Sequence, residues 1–265
     1  MAAKDPDPVT TDVKSAIADI LRQENIEYVF GHSGGHIMDM FEAADQAGIG
    51  IILNKQEGNA VYMADGYTRV TGIPSVILGT AGPGATNMLT GIATAYMDSV
   101  PLIAIGAGVR TLAAGRNAIQ DGSGRGRATE QRLAFKALCK QAMLVPSPQE
   151  APNVMREAFR VAMSGRPGPV YVEVPSDFWG AEIEYQPIEP GTYRNTDTPR
   201  CDPASGEAIS EALQQAETPL LIIGAGADGP GIKTQLAEFL QAVQVPFAVA
   251  PMAKNFVDEF HDLYL

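Results

Sequence analysis

Ser75-Val76-Ile77-Leu78-Gly79-Thr80-Ala81-Gly82-Pro83-Gly84-Ala85-Thr86-Asn87 decides how this chain folds. Ser75 to Leu78 shows no polar alternation, so a strand there is buried on both faces. Gly82-Pro83-Gly84 then breaks the chain and opens a helix, with proline in its first turn. That helix is expected to run to Asp98, and Leu102 to Ile105 reads as the next buried strand. Strand, glycine turn, helix and strand make the repeating unit of a parallel sheet covered by helices.

The same alternation extends in both directions. Upstream, Thr10 or Thr11 is placed to cap a helix whose apolar residues Val13, Ile17, Ile20 and Leu21 share one face. Tyr28 to Phe30 and Ile49 to Leu53 read as strands, with helical stripes at Ile37, Met40, Phe41 and Ala44 and from Glu57 to Val70. Downstream come a strand at Ala142 to Val145, a helix at Ala151 to Met163 and a strand at Val170 to Val174. The fold class is therefore α/β, a doubly wound parallel sheet over residues 1–179.

Residues 180–203 hold four prolines and no periodicity, which reads as a linker. From 204 to 265 a second, partial Rossmann-like α/β domain is expected. It has helices near Ser205 to Ala216 and Gly231 to Val243, and strands at Leu220 to Ile223 and Phe247 to Val249.

Composition bounds the function. The chain has 265 residues, a net charge of −12 and 45% hydrophobic residues. So acidic a chain offers no footprint for nucleic acid or an anionic membrane. Its two cysteines, Cys139 and Cys201, lie in no metal-ligand spacing and fit a reducing compartment. Met1 to Val9 is polar with two prolines, unlike a secretory signal, and no apolar run reaches membrane-spanning length. A cytoplasmic location is the expectation.

Three loops follow predicted strands: Gly31 to His36, Lys55 to Asn59 and Thr80 to Asn87. In an open parallel sheet they share the edge where ligands bind. The glycines permit close backbone approach. Glu57 starts a helix, where the macrodipole favours a carboxylate; taken alone, it also reads as an ordinary surface acid.

Those loops carry a resemblance. Phe30-Gly31-His32-Ser33-Gly34-Gly35, Glu57-Gly58-Asn59-Ala60, Ala64-Asp65-Gly66-Tyr67 and Gly82-Pro83-Gly84-Ala85-Thr86-Asn87 resemble the pyrimidine-binding domain of thiamine diphosphate (ThDP) dependent enzymes of the acetolactate synthase kind. Gly91 to Pro101 and Gly165-Arg166-Pro167-Gly168-Pro169-Val170 extend the match, and Pro219 to Phe256 is similar to the start of that family's central domain. The resemblance implies cleavage or formation of a bond next to a carbonyl, on 2-oxo acids or 2-hydroxy carbonyl compounds. It implies that Glu57 is the activating glutamate, that Gly34, Gly35, Pro83 and Asn87 line the aminopyrimidine, and that Gln120 lies on the substrate side. No Gly-Asp-Gly…Asn-Asn pattern occurs. Mg2+ and the diphosphate would thus be held by a partner subunit, most simply in an α2β2 hetero-oligomer. A competing reading is an inactive fragment or regulatory homologue.

Two features depart from the family pattern. Ser33-Gly34-Gly35-His36 stands where Pro-Gly-Gly-Ala is usual, and His36 is similar in place to a substrate-facing histidine of benzaldehyde lyases, which suggests a proton shuttle. His32 and His261 read as structural. Residues 110–132 carry Arg110, Arg116, Arg125, Arg127 and Arg132, which read either as a solvated loop or as a clamp for an anionic substrate. Gly224-Ala225-Gly226-Ala227-Asp228-Gly229 fits a dinucleotide turn, but no acid ends the next strand, Phe247 to Val249. NAD is not expected, and FAD touches the corresponding family turn in only some members.

Overall fold

Hydrophobic runs without alternation predict strands buried on both faces, and the sheet realises them. The computed structural model describes residues 7–196, 201–227 and 232–265. They fall into two units, which divide between Thr196 and Asp197.

In the first unit the order begins β1 (Val9–Asp12), α1 (Val13–Gln23), β2 (Tyr28–Gly31), α2 (Met38–Gln46), β3 (Gly50–Leu53) and α3 (Glu57–Thr71). It continues with β4 (Ser75–Gly79), α4 (Pro83–Thr86), α5 (Leu89–Met97), β5 (Leu102–Gly108), α6 (Gln131–Lys136) and β6 (Gln141–Leu144). It ends with α7 (Ala151–Met163), β7 (Val170–Pro175), β8 (Glu182–Tyr185) and α8 (Pro190–Tyr193). Six strands form one sheet in the order β3-β2-β4-β5-β7-β6, all pairs parallel.

Alternate residues of each strand feed two separate cores. Val29, Val76, Ile103, Ile105 and Val172 join α1, α2 and α7 on one face. Phe30, Ile77, Ala104 and Tyr171 join residues of α3, α5 and α6 on the other. Each such side chain contributes roughly 1.5–3 kcal/mol on burial. The helix after β2 covers one face, and those after β3 and β4 cover the opposite one. Since β2 and β4 are neighbours, the winding direction changes between them, and a ligand crevice opens at such a point.

Several expectations shift. Asp12, not Thr10 or Thr11, caps α1, its carboxylate accepting from Ser15 N at 2.9 Å. The threonines instead lie in β1, which pairs antiparallel with β8. The helix expected from Gly82 to Asp98 is split at Asn87 and Met88 into α4 and α5.

The stretch read as a linker from residue 180 carries β8 and α8, and its first part belongs with the first unit. A side-chain clamp explains this. Arg194 pairs with the fully buried Glu24 carboxylate at 2.6 Å, and Tyr193 Oη donates to the same group at 2.6 Å. Arg156 donates to Gln186 O, and Tyr185 Oη donates to Asp19. Proline content alone gave no sign of these anchors.

The second unit holds α9 (Pro203–Gln215), β9 (Leu221–Ile223), α10 (Ile232–Val243) and β10 (Phe247–Val249). The strands β9 and β10 pair in parallel. Ile223, Leu240, Phe247 and Ala253 form their own small core. His261 lies against the Phe247 ring, and its Nδ1 accepts from Leu263 N. Asp228, Gly229 and the expected helix start at Gly231 lie outside the described residues.

Candidate functional site

The three loops singled out in the sequence follow β2, β3 and β4, which are neighbours in the sheet. Gln56 caps α3, its side-chain carbonyl accepting from Asn59 N. Glu57 is therefore the first residue of that helix, and only 6% of it is exposed. A buried carboxylate needs a partner. Here Asn87 Nδ2 donates to Glu57 Oε2 at 2.9 Å, and the free N–H groups at the start of α3 add a favourable dipole.

Close backbone approach surrounds that carboxylate. A Cβ on Gly84 would lie 3.2 Å from Glu57 Oε1 and 2.5 Å from Thr80 Cγ2. A Cβ on Gly34 would lie 2.5 Å from Thr80 Cβ. Only glycine lets the β2 loop and the turn after β4 close on Thr80 together. Gly82 takes φ +63, so any side chain there is strained. Pro83 follows as the first residue of α4. Gly35, by contrast, faces open space.

Thr80 Oγ1 is buried and has no hydrogen-bond partner. The cradle thus combines backbone packed closely on Thr80, an orphaned hydroxyl and a carboxylate with one oxygen beside Gly84. That donor set fits the edge of an aminopyrimidine, a flat ring with polar atoms on its rim.

Gln120 has φ +63, and its backbone presses on Gly82, where a Cβ would fall 2.7 Å from Gln120 O. Gly34, Thr80, Gly82, Gly84, Glu57, Asn87 and Gln120 are thereby linked through direct neighbours. His36 is attached differently. Its backbone carbonyl accepts from Trp179 Nε1 at 2.8 Å, and the residue is half-buried. The His32 ring is tied to Asn54 O through Nδ1 at 2.6 Å.

The arginine-rich stretch is folded around Asp121, which accepts from Gly115 N and Ser123 N. Arg110, Arg116, Arg125 and Arg127 are exposed. Among the described residues no group of three His, Cys, Asp or Glu is arranged to hold a metal ion. No described helix is long and apolar enough to cross a membrane.

Two buried polar residues beneath the turn escaped sequence reading. Gln131 is 1% exposed and accepts from Gly82 N. Glu173 stands in β7, and burial pushes its carboxyl up to about 7, against the pull of the Gln131 amide and the Arg132 charge. The signal for Glu173 was legible as an acid inside Val170-Tyr171-Val172-Glu173-Val174. Gln131 carried none, lying at the end of a glycine- and arginine-rich run.

Residues 11–125 match the family model described as thiamine pyrophosphate enzyme, N-terminal TPP binding domain. Residues 207–265 match the model for the central domain of the same enzymes. The chain belongs to the thiamine pyrophosphate enzyme family.

It is 40% identical over 257 residues to a protein named acetolactate synthase from Arthrospira platensis, with 94% of this chain and 43% of that protein covered. It is 34% identical to an acetolactate synthase large subunit from Parasynechococcus marenigrum, over 95% of this chain and 41% of the relative. A third relative, the acetolactate synthase isozyme 2 large subunit of Escherichia coli, is 35% identical over 92% of this chain and 43% of its own length. The chain therefore spans about two fifths of the length of these relatives.

Proposed function

We propose that this chain supplies the pyrimidine-binding, activating half of a ThDP-dependent enzyme that makes or breaks a bond next to a carbonyl, on 2-oxo acids or 2-hydroxy carbonyl compounds. The observation that carries the reading is the Glu57 carboxylate, buried at a helix start, held by Asn87 and lying close against Gly84. ThDP supplies, when bound, a thiazolium carbon that becomes a nucleophile on losing a proton to the cofactor's own aminopyrimidine.

Glu57 is the group that holds a proton against the ring nitrogen N1′, through the oxygen that Asn87 leaves free. Its burial strengthens that bond, because little water competes. Gly34, Gly35, Pro83 and Gly84 admit the flat ring, and the Thr80 hydroxyl offers it a hydrogen bond. His36 and Gln120 act on the substrate side, His36 as proton carrier. Diphosphate and Mg2+ are held by a partner segment that completes the site, in a hetero-oligomer of the α2β2 kind.

The test is proton exchange at the thiazolium carbon, followed by NMR after acid quench, with the chain alone and with the diphosphate-binding half of a relative. Faster exchange in the presence of the chain, abolished by Glu57→Gln, supports the reading. Exchange no faster than in buffer, in both settings, rejects it.

A further inference from the structure

Gln131 opens α6 and is almost wholly enclosed. Its amide is fully used. Oε1 accepts from Gly82 N at 2.8 Å, and Nε2 donates to Ala107 O at 3.1 Å and to Tyr171 Oη at 3.0 Å. Its own backbone N–H donates to Gly122 O at 3.0 Å. One side chain therefore ties the turn after β4 to the end of β5 and to Tyr171 near the start of β7, while its backbone ties in the loop that leaves Gln120.

The surroundings are shaped to admit this amide. A Cβ on Gly122 would run into Gln131 Oε1, and a Cβ on Gly106 would run into the Tyr171 hydroxyl. Tyr171 is fixed in turn by stacking on Phe135, with ring centroids 3.7 Å apart and planes 2° apart. A buried, fully bonded amide adds little net stability compared with an apolar residue of the same shape. What it adds is direction. Gly82 sits in a positive-φ region that glycine alone adopts readily, and its N–H is aimed at Gln131 Oε1. With that N–H held, Gly84 follows two residues on, against Glu57 Oε1, and Gln120 closes over Gly82.

We infer that Gln131 is the positioning residue of the site: its amide sets the Gly82–Gly84 turn against Glu57 and seats Gln120 on the same turn. The inference rests on reading that turn as the aminopyrimidine floor. Gln131 touches neither substrate nor cofactor and acts through Gly82.

The experiment uses the full chain, Gln131→Met and Gln131→Glu, with amide hydrogen exchange of the chain, and ThDP binding with Mg2+ and the diphosphate-binding half of a relative present, as readouts. Methionine keeps the volume but removes the acceptor. It should speed exchange across residues 79–88 by about tenfold or more while β5 and β7 amides stay near parent values, and weaken ThDP binding by a similar factor. Glutamate still accepts from Gly82 N and should bring both readouts back to within about threefold of the parent. Parent-like exchange over 79–88 in Gln131→Met overturns the inference. So does acceleration spread evenly over the sheet, which marks plain loss of stability. Should the methionine variant not fold, a loosened turn in Gln131→Glu overturns it, and a protected one upholds it. A parent chain that binds no ThDP even with the diphosphate-binding half of a relative present removes the functional reading, and the exchange arm then decides by itself whether Gln131 holds the turn.

Discussion

Asn87 and Glu57 stand thirty residues apart in the chain and meet through one hydrogen bond, Asn87 Nδ2 to Glu57 Oε2 at 2.9 Å. Asn87 lies at the end of α4, where the helix expected from Gly82 to Asp98 is interrupted. The interruption and the bond belong together: the break presents the Asn87 side chain to the start of α3. Glu57→Gln keeps an oxygen for Asn87 and loses only the charge at a helix N-terminus, which costs about 0.3–1 kcal/mol. The fold should therefore survive, whereas proton exchange at C2 of bound ThDP should slow by about 100-fold or more. Exchange rates that match the parent would take Glu57 out of the chemistry.

His36 offers a cleaner separation of fold from function, because its structural bond is made by its backbone carbonyl to Trp179. His36→Ala leaves that bond in place. The unfolding free energy should change by no more than is ordinary for a surface substitution, about 0.5 kcal/mol. If the ring carries a proton to substrate, turnover in the completed enzyme should fall by about 100-fold, with ThDP affinity changed only a few-fold. Turnover equal to the parent's would leave His36 as a loop residue.

How far the sequence could be read follows from what each residue reports locally. The central strands β4 and β5 were legible because they are unbroken apolar runs, Val76-Ile77-Leu78 and Leu102-Ile103-Ala104-Ile105, and burial on both faces leaves that trace. The loops after β2 and β4 were legible because glycines break the chain directly after an apolar run, although the atoms that demand glycine at Gly34 and Gly82 belong to the distant Thr80 and Gln120. The clamp over residues 182–196 was not, since Glu24 and Arg194 meet across 170 residues and neither belongs to a pattern. Gln131 stayed hidden for the same reason: its partners Gly82, Ala107 and Tyr171 come from three different strands or their ends.

That clamp is itself testable. The Glu24 side chain is 0% exposed, and Arg194 meets it through Nε and Nη2. Removing one partner of a buried pair strands the other charge, so Arg194→Leu should lower the unfolding free energy by about 3 kcal/mol. The double variant Glu24→Leu with Arg194→Leu should recover part of that loss, because no unpaired charge remains. Equal losses in the single and double variants, measured by denaturant unfolding, would show that packing of Tyr193 and not the charge pair fastens the segment.

Glu173 gives the fold a pH dependence of defined sign. Its carboxyl is nearly enclosed, Oε2 has no hydrogen-bond partner, and burial raises it from 4.5 to about 7. A raised carboxyl favours the protonated fold. The associated stability is fully present below the unfolded value near 4.5 and is lost as pH climbs through about 7. At about 1.4 kcal/mol per unit of displacement, the full loss is on the order of 3 kcal/mol. Glu173→Gln mimics the protonated form at every pH. Relative to the parent, the variant should therefore gain stability between about pH 4.5 and pH 7 and level off above that, while the difference between them stays constant below about pH 4.5. The groups that bear on this titration are Gln131 and Arg132, which favour the anion, and Glu130 and Asp121, which oppose it. Arg132→Gln should accordingly move the parent's transition to higher pH. Chemical denaturation across that pH range is the measurement. A parent-to-variant difference that does not change with pH would mean that Glu173 ionises in the fold as freely as in the unfolded chain.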